Sequence, residues 1–98
     1  MLTQAQKRQL KGLANKIDVR YQVGKSEVTD TVISMLDKAL TARELIKIDV
    51  MKGATEPIME IALDLSSALH AEIVQVVGRV IVMFRQNKEK SKIKLVKD

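Results

Sequence analysis

The residues Gly24, Lys25 and Ser26 match the end of a Walker A motif, a loop that binds nucleotide phosphates. The complete motif needs another glycine five positions before Gly24, so that backbone N–H groups can wrap the phosphates. Val19 stands at that position, within a stretch that is typical of a strand. The sequence therefore argues against ATP or GTP hydrolysis, and it leaves the three residues as candidates for contact with another kind of phosphate.

Other residue types that perform chemistry are scarce in this chain. It contains one histidine, His70, and no cysteine, which excludes disulfides and thiolate metal ligands. The carboxylates are scattered, and His70 follows a predicted helix, where a structural role is common. We therefore expect no catalytic site, no metal, no cofactor and no small-molecule substrate.

Charge is distributed unevenly along the chain, whose overall net charge is +5. Residues 1–26 and 73–98 each carry a net charge of +5, whereas residues 27–72 carry −5. If the two ends meet, they form one cationic face suited to a polyanion, with a nucleic acid as the first candidate and an anionic membrane surface as the second. The alternative is two separately solvated basic ends. Tyr21 and Phe84 are the only aromatic residues, so nucleic-acid binding would depend on charge and backbone N–H groups rather than on stacking.

Length and composition indicate one folded domain over residues 1–98, with a basic tail from about residue 86 to residue 98. The chain has 98 residues, of which 46% are hydrophobic and 30% charged. It contains no apolar run of about 18 residues and no signal-peptide pattern, so we expect no membrane association. The absence of cysteine fits a reducing compartment, and we expect a cytoplasmic protein.

Hydrophobic periodicity and cap residues predict seven elements. Thr3 and Gln6 form a capping-box pair, and Thr29 is a suitable N-cap. Lys38 and Arg43 fall on the outer face of the second helix, which we expect to be solvated. The predicted elements are a helix over 3–16, a strand over 19–23, a helix after Thr29, a strand over 45–50, a helix capped by Thr55, and a hairpin over 72–85 that turns at Gly78 and Arg79.

This order of elements, helix-strand-helix-strand-helix-strand-strand, defines the fold class. A strand–helix–strand unit joins parallel strands through a right-handed crossover, whereas the final hairpin is an antiparallel pair. The sequence therefore predicts an α/β protein with a mixed four-stranded sheet and three helices.

Four stretches resemble the bacterial YhbY-type proteins, which are single CRM (chloroplast RNA splicing and ribosome maturation) domains. They are "LTQAQKRQLKGLA" at 2–14, "VGKSEVT" at 23–29, "RELIKI" at 43–48 and "EIVQVVGRVIVMFR" at 72–85. The resemblance implies a fold like the C-terminal domain of translation initiation factor three. It also implies an RNA-binding domain that associates with precursors of the large ribosomal subunit.

The family's strand-to-helix turn is a Gly-x-x-Gly loop, similar to the loop with which KH domains clamp an RNA backbone. Gly24, Lys25 and Ser26 match it, but Glu27 replaces the second glycine, so contact between this loop and phosphate stays an open question. His70 also replaces a common family glycine, and histidine tolerates the left-handed backbone better than most residues.

We therefore interpret the chain as a non-enzymatic RNA-binding protein of ribosome assembly, with ribosomal RNA or large-subunit precursor particles as partners. The alternative is a protein-interaction module that docks on a ribosomal protein or another acidic partner through the same face. The candidate RNA-binding residues are Lys7, Arg8, Lys11, Lys16, Arg20, Gly24, Lys25, Ser26, Arg79, Arg85 and Lys88.

Overall fold

The computed structural model describes residues 2–18, 20–23, 29–51, 57–87 and 93–96. Within these ranges the chain forms three helices and four strands in the predicted order. The elements are α1 (Gln4–Ala14), β1 (Tyr21–Val23), α2 (Asp30–Arg43), β2 (Leu45–Val50), α3 (Ile58–Leu69), β3 (Glu72–Val77) and β4 (Val80–Phe84).

Local capping explains where two of the helices begin. The Thr3 hydroxyl accepts a hydrogen bond from the Gln6 backbone N–H, and the Gln6 side chain accepts one from Thr3, which confirms the capping box. The Thr29 hydroxyl caps α2 in the same way. The predicted cap of α3 at Thr55 is wrong, because its N-cap is Pro57 and no side chain bonds there. Pro57 has φ −58° and ψ 144°, an extended conformation, so the helix begins only after it. Thr55 itself lies outside the described residues.

The four strands form one mixed sheet, as predicted, and their order within it is β1-β2-β4-β3. β1 and β2 are parallel, whereas β4 is antiparallel to both of its neighbours. The central position of β4 explains why its residues are apolar on both faces. Gly78 has a φ of 58° in the β3–β4 turn and Arg79 has no positive φ, which fits the type II′ turn expected from the sequence.

The sheet is covered on both faces, and each face has its own apolar core. Successive side chains of a strand point to opposite faces of the sheet. Leu45 of β2 therefore packs in the core beside α1, whereas Ile46 packs in the core beside α2 and α3. The core around α1 contains Leu10, Ala14, Leu45, Val74, Val82 and Phe84, with Ile93 and Leu95 of the C-terminal segment packed against it. Residues 93–96, called the C-terminal segment below, therefore share a sheet face with α1.

Two residues other than glycine have a positive φ among those described. His70 ends α3 in the left-handed conformation, with φ 53° and ψ 43°, as its tolerance for this backbone predicted. Glu44 has φ 65° between α2 and β2, where its N–H donates to the Leu40 carbonyl and its carbonyl accepts from Arg85 N–H. Within the described ranges, none of the helices is long and apolar enough to cross a membrane.

Candidate nucleic-acid interface

The two basic ends of the chain meet on the face of the sheet that carries α1. The Gln9 side chain donates to the Lys94 carbonyl at 2.8 Å and accepts from the Val96 N–H at 2.9 Å. The Gln6 side chain adds a 3.0 Å bond to the Val96 carbonyl. These bonds bring α1 and the C-terminal segment together, which is the condition that the sequence set for one cationic face. A single cationic face over both ends stays a prediction.

The outer side of α1 is cationic. Arg8, Lys11 and Lys16 are exposed, and Lys7 is half-buried. The helix contains no acidic residue. With 3.6 residues per turn, Lys7 and Lys11 lie on one flank of the buried Leu10 and the glutamines that bind the C-terminal segment lie on the other. The lysines therefore remain available to a ligand, whereas the glutamines bind the C-terminal segment to α1.

Of the remaining candidates, Arg79 lies at one end of the sheet and Arg20 lies at the other end of β1. Val50 N–H donates to the Arg79 carbonyl at 2.9 Å, and Met51 N–H donates to the Val23 carbonyl at 2.9 Å. These bonds place the hairpin turn, with the exposed Arg79, at the end of the sheet where β1 and β2 also end. Arg20, at the start of β1, is exposed as well.

Several predicted site residues lie outside the described residues. Gly24, Lys25 and Ser26 follow Val23 directly in the sequence, and they belong to the undescribed range 24–28. Lys88 belongs to the undescribed range 88–92. Their contact with RNA stays a prediction from the sequence.

The Arg85 side chain has partners within the fold. Its guanidinium donates to the Asp37 carboxylate at 2.7 Å and carbonyl at 3.0 Å, to the Thr41 hydroxyl at 2.9 Å and to the Leu69 carbonyl at 3.0 Å. These groups belong to α2 and α3, which lie on the opposite face of the sheet from α1. The structure therefore does not bring Arg85 together with the exposed cations of α1, and its RNA contact remains a prediction.

Sequence reasoning missed the role of Glu44, which has 0% relative exposure. Its carboxylate accepts hydrogen bonds from Asn87 N–H at 2.7 Å and from Ile93 N–H at 2.9 Å. A buried carboxylate requires such partners because it has lost its hydration. Glu44 thus anchors the chain on both sides of residues 88–92, and no local pattern in "RELIKI" indicated these distant partners.

Sequence reasoning also missed a cleft of about 550 Å³ where the ends of α1 and α2 meet the C-terminal segment. Apart from Arg43, the described residues that line it are apolar. Arg43 is exposed, as expected for the outer face of α2, and it also lines this cleft together with Leu13 of α1. The lining residues are Leu13, Ile17, Ala42, Arg43, Leu45 and Ile93.

Comparisons with known proteins agree with this fold along nearly the whole chain. The Bacillus subtilis protein YqeI, named a probable RNA-binding protein, is 38% identical over 95 residues, which cover 97% of this chain and 99% of YqeI. A Haemophilus influenzae protein named RNA-binding protein is 32% identical over 94 residues, covering 96% of this chain and 94% of that protein.

The solution structure of the hypothetical protein SAV1595 from Staphylococcus aureus is similar to this one, with a TM-score of 0.78 and 40% identity. The similarity covers 98% of this chain and 100% of that one. The family model of the CRS1 / YhbY (CRM) domain matches residues 2–85. The chain therefore belongs to the CRS1/YhbY (CRM) domain family.

Proposed function

We propose that this chain is a non-enzymatic, cytoplasmic RNA-binding protein that acts in assembly of the large ribosomal subunit. The observation that carries the proposal is the exposed cationic side of α1, a helix with no acidic residue, bonded to a second basic part of the chain. The names of YqeI and of the Haemophilus influenzae relative support RNA as the polyanion.

Binding depends mainly on neutralisation of phosphates. Each Lys or Arg that meets a phosphate releases condensed counterions, which makes association favourable and sensitive to salt. Phosphate contacts position a protein on RNA but do not read its sequence. The proposed phosphate contacts are Lys7, Arg8, Lys11, Lys16, Arg20, Arg79, Arg85 and Lys88, with Gly24, Lys25 and Ser26 as donors from the loop that follows β1.

Precursors of the large ribosomal subunit are the proposed target because the resemblance to the YhbY-type proteins implies association with them. The residues described in the structure include no group of three or more His, Cys, Asp or Glu side chains able to hold a metal ion. The contribution to assembly that we propose is binding, through which the protein marks or stabilises an RNA conformation.

The salt dependence of binding tests the electrostatic mechanism. Affinity for a fragment of precursor large-subunit RNA is measured by fluorescence anisotropy over a range of salt concentrations. Contact with about four to six phosphates predicts a slope of roughly −3 to −5 in log affinity against log salt. A flat response would contradict the mechanism. Retention on one ribosomal protein in nuclease-treated extract, together with failure of heparin to compete, would favour a protein-interaction module instead.

The assembly role needs a separate test in cells. The protein is crosslinked to RNA, and the attached RNA is purified and sequenced. The proposal predicts enrichment of unprocessed large-subunit RNA over mature ribosomal RNA and transfer RNA. Equal recovery of all abundant RNAs would contradict the proposed large-subunit target, although the protein would still bind RNA.

A further inference from the structure

We infer that the cleft between α1, the end of α2 and the C-terminal segment binds an unstacked nucleobase of single-stranded RNA. The inference rests on the proposed RNA-binding function and adds a base-binding site to its phosphate contacts. It is carried by the shape of the cleft, by its lining and by its place at the end of α1 beside the exposed Lys16.

The walls of the cleft suit a flat ligand with apolar faces. Leu45 is buried at 2% relative exposure, while Leu13, Ile17 and Ile93 are half-buried and so present apolar surface to a ligand. The small side chain of Ala42 leaves one wall open. A volume of about 550 Å³ lies within the range of roughly 300–1,000 Å³ that small-molecule sites occupy.

Arg43 supplies a planar cation among these apolar residues. It is exposed, and among the residues that the structure describes it is the one charged residue that lines the cleft. A guanidinium plane can stack on a nucleobase, which is a recognised mode of single-stranded RNA binding in sites without aromatic residues. Arg43 can therefore contact the base face while its charge attracts the phosphate.

The charges around the cleft favour an anionic ligand. Lys16 precedes Ile17 and Lys94 follows Ile93 in the sequence, and both lysines are exposed. Asp18 is an exposed carboxylate at the same end of α1. The Glu44 carboxylate is buried and bonded to backbone N–H groups. Among the described residues, three cations and one exposed carboxylate surround these apolar walls, which suits a nucleotide better than a neutral apolar ligand.

The cleft adjoins one proposed phosphate contact, because the exposed Lys16 directly precedes Ile17 of its lining. A strand whose phosphates contact Lys16 and Arg43 can therefore turn one base into the cleft. Apolar walls accept any base that is free of a duplex, so the site would distinguish single-stranded from double-stranded RNA rather than one sequence from another.

Removal of the bases from the RNA tests this inference. A single-stranded RNA 12-mer is compared with an abasic 12-mer, which has the same phosphates, by anisotropy at one salt concentration. We expect the intact strand to bind at least about fivefold more tightly, the lower end of what base stacking contributes. Equal binding would overturn the inference and leave the proposed function intact, whereas binding of neither strand would contradict the proposed function itself.

Two substitutions locate the base contact. Ala42→Leu narrows the cleft, and we expect it to reduce the preference for intact RNA to within about twofold while affinity for the abasic strand is unchanged. Its matched control is Ala68→Leu at an exposed site of α3 on the opposite sheet face, which should retain the preference. If a folded Ala42→Leu variant still preferred the intact strand over the abasic strand as strongly as the unmodified protein does, the assignment of the base contact to this cleft would be wrong.

Arg43→Lys gives an independent test if Ala42→Leu does not fold, because it keeps the charge and removes the plane. We expect weaker binding of the intact strand, by about threefold or more, with no change for the abasic strand. Arg43→Gln should weaken binding of both the intact and the abasic strand, whereas Lys38→Gln on α2 should change neither affinity. Equal affinities of Arg43→Lys and the unmodified protein for intact RNA would contradict stacking on Arg43.

Discussion

The buried carboxylate of Glu44 accepts a 2.7 Å hydrogen bond from the backbone N–H of Asn87, 43 residues further along the chain. Its other oxygen accepts a 2.9 Å bond from Ile93 N–H. The residue also has a left-handed φ of 65°, a conformation that costs side chains other than glycine about 1–3 kcal/mol. Its place is maintained by backbone bonds to Leu40 and Arg85. Glu44 therefore joins α2 and β2 to the chain on both sides of residues 88–92.

Glu44→Gln should destabilise the protein although it keeps the size of the side chain. One of the two oxygens becomes an NH₂ group, which would face a backbone N–H donor and leave it without its acceptor. An unsatisfied buried donor costs about 1–3 kcal/mol. Urea unfolding should show a decrease of that size in the free energy of unfolding. Glu60→Gln, at an exposed position of α3, is the control and should change it by no more than about 0.5 kcal/mol.

Arg85→Lys should also lower the free energy of unfolding, because lysine cannot reproduce the bonds that the guanidinium makes to Asp37, Thr41 and Leu69. The side chain is 21% exposed, so we expect a loss of about 1–2 kcal/mol, close to the value of a hydrogen bond to a charged group. Asp37→Asn should lower the free energy of unfolding by less than Arg85→Lys does, because the backbone carbonyl of residue 37 still accepts a hydrogen bond from Arg85. If Arg85→Lys weakened RNA binding and left unfolding unchanged, Arg85 would act on RNA rather than on the fold.

These contacts show which features could be predicted from the sequence. The caps at Thr3 and Thr29 involve residues within one turn of the helix, and the turn at Gly78 depends on its own backbone. Local patterns therefore identified them. The mixed sheet followed from the order of the elements and from the rules that connect them.

The candidate site was less predictable because its main features join distant segments. Glu44 and Ile93 are 49 residues apart, and Arg85 and Asp37 are 48 apart. Arg43 lies on the polar side of its own helix, so helical periodicity assigned it to the solvated surface. Its place in the cleft arises only when the end of α2 meets α1, which no local pattern describes.

Substitution of Lys7, Arg8 and Lys11 together by glutamine tests the α1 surface. We expect weaker RNA binding. The slope of log affinity against log salt concentration should become shallower by about 1 for each removed side chain that contacts phosphate. The free energy of unfolding should change by no more than about 0.5 kcal/mol per site, because the side chains are off the buried stripe. Lys38→Gln is the control on the opposite sheet face. Binding within about twofold of the unmodified protein would place the RNA surface elsewhere, on the hairpin and the C-terminal tail.

The last prediction concerns the loop that follows β1, where Glu27 replaces the second glycine of the Gly-x-x-Gly pattern. Glu27→Gly removes a negative charge and gives the backbone more freedom, so RNA binding should tighten. The free energy of unfolding should decrease by about 0.5–1 kcal/mol, because glycine increases the conformational freedom of the unfolded chain. Glu27→Gln removes the charge alone, and anisotropy titrations of both variants separate the two causes. Equal tightening identifies charge as the limitation, and tightening by glycine alone identifies backbone shape. No change in either variant, while the α1 lysines still matter, would reduce Gly24, Lys25 and Ser26 to a strand-to-helix turn without a role in phosphate binding.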